Sequence, residues 1–197
     1  MLLGVSAPND ARMLSTLLRY FCRELSDSAF AEIGLHKDKG RLWLVLAAGA
    51  LLPDPAEWQA RGHAVLALIN KARGEARKCG ETWFAPAPPL AWNERLASAA
   101  LAHSADMAAK NYFSHDAPDG SRYDKRILRT GYVFRAAGEN IAAGQITPQD
   151  ALVAWLRSAP HCANLMRSEF TESGVAFAVD KRSAQGVYWT QTFGAPR

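Results

Sequence analysis

Three ordered blocks in the last third of this 197-residue chain restrict its fold more than any other stretch. They are Gly138-Glu139-Asn140-Ile141-Ala142, then Trp155-Leu156-Arg157-Ser158-Ala159-Pro160-His161-Cys162-Ala163-Asn164, then Tyr188-Trp189-Thr190-Gln191-Thr192-Phe193-Gly194. Thr147 before Pro148, with Asp150 close behind, starts a helix that runs into Leu152, Trp155 and Leu156. Pro160 is expected to stop it. Glu172 to Val179 and Val187 to Phe193 both alternate, and turn residues around Lys181-Arg182-Ser183 and Gln185-Gly186 separate them, which predicts an antiparallel pair.

Upstream, Glu57 to Arg77 has helical spacing with Val65, Leu66 and Ile69 on one face, and Gly80 is expected to break that helix. Ala85-Pro86-Ala87-Pro88-Pro89 reads as extended. Asn93 then caps a helix whose Leu96, Ala100, His103 and Met107 recur at four, three and four residues. His103 on that apolar stripe reads as a core histidine. Helices early and strands late predict an α+β fold.

These blocks, with the Asn93 to Asn111 helix and Phe113-Ser114-His115, resemble the CAP superfamily: cysteine-rich secretory proteins, antigen 5 and pathogenesis-related 1 proteins, in the bacterial SCP-like form. The resemblance runs from about Gly62 to Gly194, and several ordered blocks are far more specific than one short motif. It implies a three-layer α-β-α sandwich with a central antiparallel sheet. Pro53-Asp54-Pro55 is the expected linker, so residues 56–197 form the CAP domain.

The first fifty residues carry an internal similarity. Leu18 to Gly34 lies over Ser158 to Gly174 at a constant offset of 140 positions, pairing Cys22 with Cys162, Leu25 with Leu165, Ser28 with Ser168, Phe30 with Phe170 and Glu32 with Glu172. After a six-residue gap, Trp43 falls over Trp189, at an offset of 146. Residues 1–52 therefore read as the carboxyl-terminal third of another CAP-like unit, either a piece of a longer tandem protein or extra strands for the main sheet, with Leu42 to Ala48 a buried strand. The same stretch has signal-like chemistry, since Lys37, Lys39 and Arg41 precede an apolar run to Leu52 with Ala48-Gly49-Ala50 near its end. It lies too deep in the chain for a normal leader and is too short to span a bilayer. Met1 to Pro8 has neither a basic nor an apolar leader region. Export is thus expected from the resemblance alone, as a periplasmic or secreted location.

A 49% apolar composition suffices for a packed core, and 23 basic against 19 acidic residues are scattered, not gathered into a stripe. That distribution, at a pI of 9.1, speaks against nucleic-acid binding and allows mild attraction to anionic envelope polymers. No phosphate loop, dinucleotide fingerprint or transmembrane segment is present in the sequence. Cys22, Cys79 and Cys162 fit neither a zinc ribbon nor a Cys-x-x-Cys pair. A disulfide between Cys79 and Cys162 is the favoured pairing, both lying in the matched domain; three unpaired thiols are the alternative.

His115 on a loop, Glu139 beside a glycine and His161 after Pro160 are the residues with chemistry. One carboxylate and two imidazoles brought together could hold zinc with an open position for water. In many CAP proteins a cavity carries two His and two Glu. The resemblance places His115 at the first His and Glu139 at one Glu, but Ser158 and Tyr188 stand where the second Glu and second His would fall. His161 is a candidate substitute. The expected cleft is lined by His115, Glu139, Ser158, His161 and Tyr188; the sequence carries no cofactor motif, and zinc is the one candidate. The leading expectation is a non-catalytic extracytoplasmic module that binds a cell-envelope lipid, glycan or peptide, or a protein partner. A metal-assisted peptidase or esterase is the alternative. No serine forms a complete triad, because Ser158 lies outside a nucleophile elbow and Ser114 adjoins His115. Asn140, Asn164 and Gln191 read as scaffolding amides.

Overall fold

The computed structural model describes residues 1–27, 30, 32–47 and 52–197. Ser28, Ala29 and Ala31 of the internal similarity, and Ala48 to Leu51 of the signal-like run, lie outside the described residues. The chain divides into two compact units, Met1–Leu51 and Leu52–Arg197.

The first unit contains β1 (Leu2–Ser6), α1 (Asp10–Leu25), β2 (Glu32–Asp38) and β3 (Arg41–Ala47), with β3 central in an antiparallel sheet ordered β1-β3-β2. Asn9 caps α1 by accepting from the Arg12 amide at 3.0 Å. Leu3, Val5, Leu17, Leu44 and Leu46 make its small core. Among the described residues these strands form a three-stranded sheet of their own. One expectation is corrected. The strand over Arg41–Ala47 is half-buried, not buried throughout, because one helix covers one face: Leu44 and Leu46 are inside while Trp43 and Val45 are exposed.

The second unit opens with a 3-10 turn at Pro55–Glu57 and α2 (Trp58–Arg73), which stops seven residues before Gly80. The segment expected to finish that helix instead makes a hairpin of β4 (Arg77–Cys79) and β5 (Thr82–Phe84), and Gly80 supplies its turn with φ +60. After β6 (Ala91–Trp92), Asn93 caps α3 (Glu94–Lys110) through its side-chain oxygen, 3.0 Å from the Arg95 amide and 3.3 Å from that of Leu96. Next come α4 (Tyr123–Arg129), β7 (Phe134–Ala143), α5 (Pro148–Arg157), α6 (Ala159–Met166), β8 (Glu172–Val179) and β9 (Val187–Pro196). Pro160 does not simply end α5. It sits in the first turn of α6, where its missing N–H costs nothing, and Ser158 is the extended joint between the helices.

The sheet order is β6-β8-β9-β7, antiparallel except for the short parallel pairing of β6 with β8. Helix α3 lies on one face, where Thr192 donates to the Leu96 carbonyl at 2.8 Å and Ser104 donates to Thr190 at 2.9 Å. On the other face Val65, Leu66 and Ile69 of α2 and Leu152 and Trp155 of α5 pack with Val175, Phe177, Trp189 and Phe193. The result is the α-β-α sandwich. Both helices sit directly on β8 because two glycines permit it: a Cβ on Gly174 would fall 2.0 Å from the Ala97 amide nitrogen, and one on Gly62 would fall 2.2 Å from the Val175 carbonyl oxygen.

Helix α6 is held from several sides. Cys79 and Cys162 form a buried disulfide that closes 83 residues of sequence separation. Arg73, fully buried, donates to the carbonyls of Pro88, Leu165, Arg167 and Phe170 at 2.8, 2.5, 3.1 and 3.3 Å. Burial without a carboxylate partner pushes its guanidinium down to about 10, still protonated at neutral pH. The carbonyls at the end of a helix carry partial negative charge, which suits a cation there.

Candidate functional site

Adjacent residues of β7 face opposite layers, as the period of two requires. Asn140, opposite Gln191, faces α6: its amide nitrogen lies 3.2 Å from the His161 carbonyl oxygen, and Asn164 donates to Asn140 Oδ1 at 3.1 Å and to the Glu139 carbonyl at 3.3 Å. Gln191 donates to Ser173 Oγ at 3.2 Å. Asn140 and Asn164 tie β7 to α6, and Gln191 ties β9 to β8, so all three act as scaffolding amides.

Glu139, opposite Thr192, faces α3 and α4 and is 4% exposed. Its Oε1 lies 2.9 Å from His115 Nδ1. Arg126 Nη2 lies 3.0 Å from Oε1 and 2.8 Å from Oε2. Arg126 also donates to the Ser121 carbonyl at 2.6 Å and to that of His115 at 2.9 Å, so one guanidinium fixes the carboxylate and the 115–121 loop together. His103 stands behind, with Nε2 3.0 Å from the Ser114 carbonyl and 3.9 Å from Glu139 Oε1. A carbonyl can only accept, so Nε2 carries the proton. Burial pushes the His103 imidazole below its ordinary value, with Glu139 opposing that and Arg126 adding to it.

His115 is half-exposed and takes its orientation from Glu139, which as an ionised acceptor places the proton on Nδ1. The His161 ring centroid is 6.3 Å from that of His115. Burial, then proximity to His115, lowers the His161 imidazole. A cleft of about 360 Å³ opens beside Glu139, lined by His115, Arg122, Tyr123, Gly138, Asn164 and Arg167 among others.

The structure thus brings His115, Glu139 and His161 into one neighbourhood. Of the expected lining, His115 and Glu139 stand in the cleft wall, whereas Ser158, His161 and Tyr188 do not, and His161 reaches it only through its neighbour His115. Tyr188 shares its face of β9 with Thr192 but sits four residues away, roughly 13 Å along a strand, buried with Met107, Ala108 and Ile141. Ser158, at the joint of α5 and α6, makes no side-chain cap and its carbonyl accepts from the Cys162 amide at 2.8 Å.

The three metal candidates do not fit a metal either. Both Glu139 oxygens are committed to Arg126 and one also to His115, so a guanidinium holds the place a cation would need. Among the described residues no group of three or more His, Cys, Asp or Glu side chains is placed to hold a metal ion. Sequence reasoning missed Arg126. Its signal was present: with Tyr123 and Ile127 it lies on one side of a single helical turn pattern, a charged residue on a short apolar stripe.

Residues 66–193 match the Cysteine-rich secretory protein family, CAP, and the chain belongs to that family. It is 41% identical over 106 residues to the uncharacterized protein YkwD of Bacillus subtilis, an alignment covering 53% of this chain and 39% of that protein. It is 40% identical over 106 residues to the uncharacterized membrane protein YlbC of the same organism, covering 53% of this chain and 28% of the relative. The chain therefore spans well under half the length of these relatives. Among solved structures, an extracellular protein containing a SCP domain from Bacillus anthracis superposes with TM-score 0.60 at 31% identity, covering 79% of this chain and 52% of that one. An outer surface protein of Borrelia burgdorferi shares the fold at TM-score 0.55 and 17% identity, covering 68% of this chain and 92% of that one.

Proposed function

We propose that the second unit is a non-catalytic binding module working outside the cytoplasm, whose cleft beside Glu139 receives a cell-envelope lipid, glycan or peptide. One observation carries this reading. The carboxylate that would activate water or hold a metal is buried and saturated by Arg126 and His115, so it serves as the floor of the cleft and fixes its shape. A binding site gains affinity from such preorganisation, whereas a hydrolase needs a free base or an activated nucleophile. The extracytoplasmic placement is supported by the disulfide, which persists in oxidising compartments, and by the extracellular SCP-domain protein of Bacillus anthracis. Among the described residues no helix is long and apolar enough to cross a membrane.

Native mass spectrometry of the full chain incubated with extracted envelope lipids, glycans and peptides tests the reading. The wild type should retain an unmodified ligand that His115→Ala releases without loss of fold. Steady conversion of any of these compounds to a hydrolysed product by the wild type, lost in His115→Ala, would replace it with the hydrolase alternative.

A further inference from the structure

We infer that Arg126 inverts the electrostatic character of this cleft, making it a receptor for a phosphate group. The inference rests on the binding reading above and names the chemistry of the ligand. Two carboxylates, Asp116 and Glu139, line the cleft, and an uncompensated pair would draw a cation. Arg126 neutralises Glu139 from behind, through contacts of 2.8 and 3.0 Å. Apart from Glu139, the aspartate and arginine side chains of the lining are Asp116, Arg122 and Arg167, two arginines to one carboxylate, with Glu169 beside Arg167 outside the lining.

The two outer arginines are built for an oxygen-rich anion. Arg122 lies over the Tyr123 ring with its guanidinium carbon 5.9 Å from the centroid, and Arg167 lies 5.0 Å over that of Phe170. Contact with a ring restrains each guanidinium, and Arg167 also donates one N–H to Glu169 at 2.6 Å. Their own carboxylate partners are weak competitors. Arg122 is 3.8 Å from Asp116, and Arg167 pairs at 2.6 Å with Glu169, both in pairs more than a third exposed, where water screens the attraction. The Asn164 side chain shares the same lining. One carboxylate has two oxygens and is satisfied by a single fork, whereas a phosphate has oxygens enough for two forks entering from α4 and from the end of α6. The opening of about 360 Å³ accepts a phosphate with a short polyol, not a bulky double chain.

A phosphate of this kind occurs in lipid head groups, in polyol-phosphate polymers and free in solution, and the experiment separates them. The full chain is titrated calorimetrically with glycerol 1-phosphate, a glycerol-phosphate oligomer, inorganic phosphate, acetate, and vesicles of phosphatidylglycerol in phosphatidylcholine. Arg122→Gln, Arg167→Gln and the double variant are the comparisons, chosen because both side chains are half-exposed and their loss spares the fold; circular dichroism checks this. Loss of one charged contact should weaken the phosphate probes roughly 10-fold to 100-fold, and the double variant should bind none of them. Saturable binding of the soluble ester or oligomer assigns a polymer source, equal binding of inorganic phosphate assigns the free anion, and arginine-dependent binding to vesicles alone assigns a lipid head group; all three support the inference. Binding unchanged in the double variant, acetate bound as tightly as phosphate, or no binding of any phosphate probe would overturn it. In the last case a phosphate-free ligand retained in the mass-spectrometric experiment would leave the binding reading standing, and its absence would remove both.

Discussion

The two units answer the same local pattern differently. In both, a helix is followed by an antiparallel pair of strands, α1-β2-β3 in one and α6-β8-β9 in the other. In the first unit every residue of β2 is exposed and Trp43 is 37% exposed, while in the second Trp189 is 0% exposed and β9 is buried over nearly its whole length. The pairing also differs by one residue. Trp43 stands opposite His36, which the expected offset of 140 positions would align with Ala176, while Trp189 stands opposite Phe177. Such a slip changes which side chains meet across the pair. The same helix-strand-strand order therefore recurs in both units, and layers of helix on both faces decide whether those elements can enclose a buried carboxylate.

The largest expected effect sharpens this contrast. Trp189→Ala removes a side chain enclosed by Val175, Phe177 and the α2 and α5 faces, and should cost about 3–5 kcal/mol in denaturant unfolding, whereas Trp43→Ala should cost under about 1.5 kcal/mol. Equal losses would break the comparison. Arg126→Met leaves Glu139 buried without its counter-ion and should cost about 3–5 kcal/mol, with Arg126→Met/Glu139→Leu recovering a large part; a double variant no more stable than the single would mean that the pair is not coupled.

Next in size is the staple on α6. Cys79→Ser should lower stability by about 2–5 kcal/mol and shift the non-reduced peptide map, while leaving near-ultraviolet signals of the first unit unchanged. An unaltered map would contradict the Cys79–Cys162 link.

The smallest effect is in pH. His103 and His161 both have imidazoles lowered from 6.5 in the folded state. The unfolded chain then binds more protons below its own pKa, so unfolding free energy rises with pH there. Stability should be full above about 6.5 and fall as pH drops through the lowered values, and His103→Gln should flatten part of that slope if the protein still folds. An unchanged slope in folded His103→Gln and His161→Gln variants would show that carboxylates alone carry it.

Much of this was legible beforehand, for identifiable reasons. The Asn93 and Thr147 caps, the α3 stripe and the β8–β9 pair follow from local rules, and the structure shows each. His115 and Glu139 could be singled out because a loop histidine and a carboxylate beside glycine are unusual company. Arg126 could not be weighed in the same way, because its role exists only after β7 carries Glu139 beneath α4, 13 residues away in sequence. Tyr188 failed as a cleft residue for a related reason. Correspondence along the strand named a position, and only the register reveals that this position lies under Met107 and not beside Glu139. Pro160 reads as a stop in the sequence because a proline ends one helix and begins another with the same local chemistry.

The central claim, that a guanidinium fills the cationic role beside Glu139, is tested most directly by calorimetric zinc titration of chelator-treated full chain at neutral pH. The account predicts no specific heat for the wild type. One-to-one micromolar binding that disappears in both His115→Ala and His161→Ala would contradict it and restore a metal to the cleft.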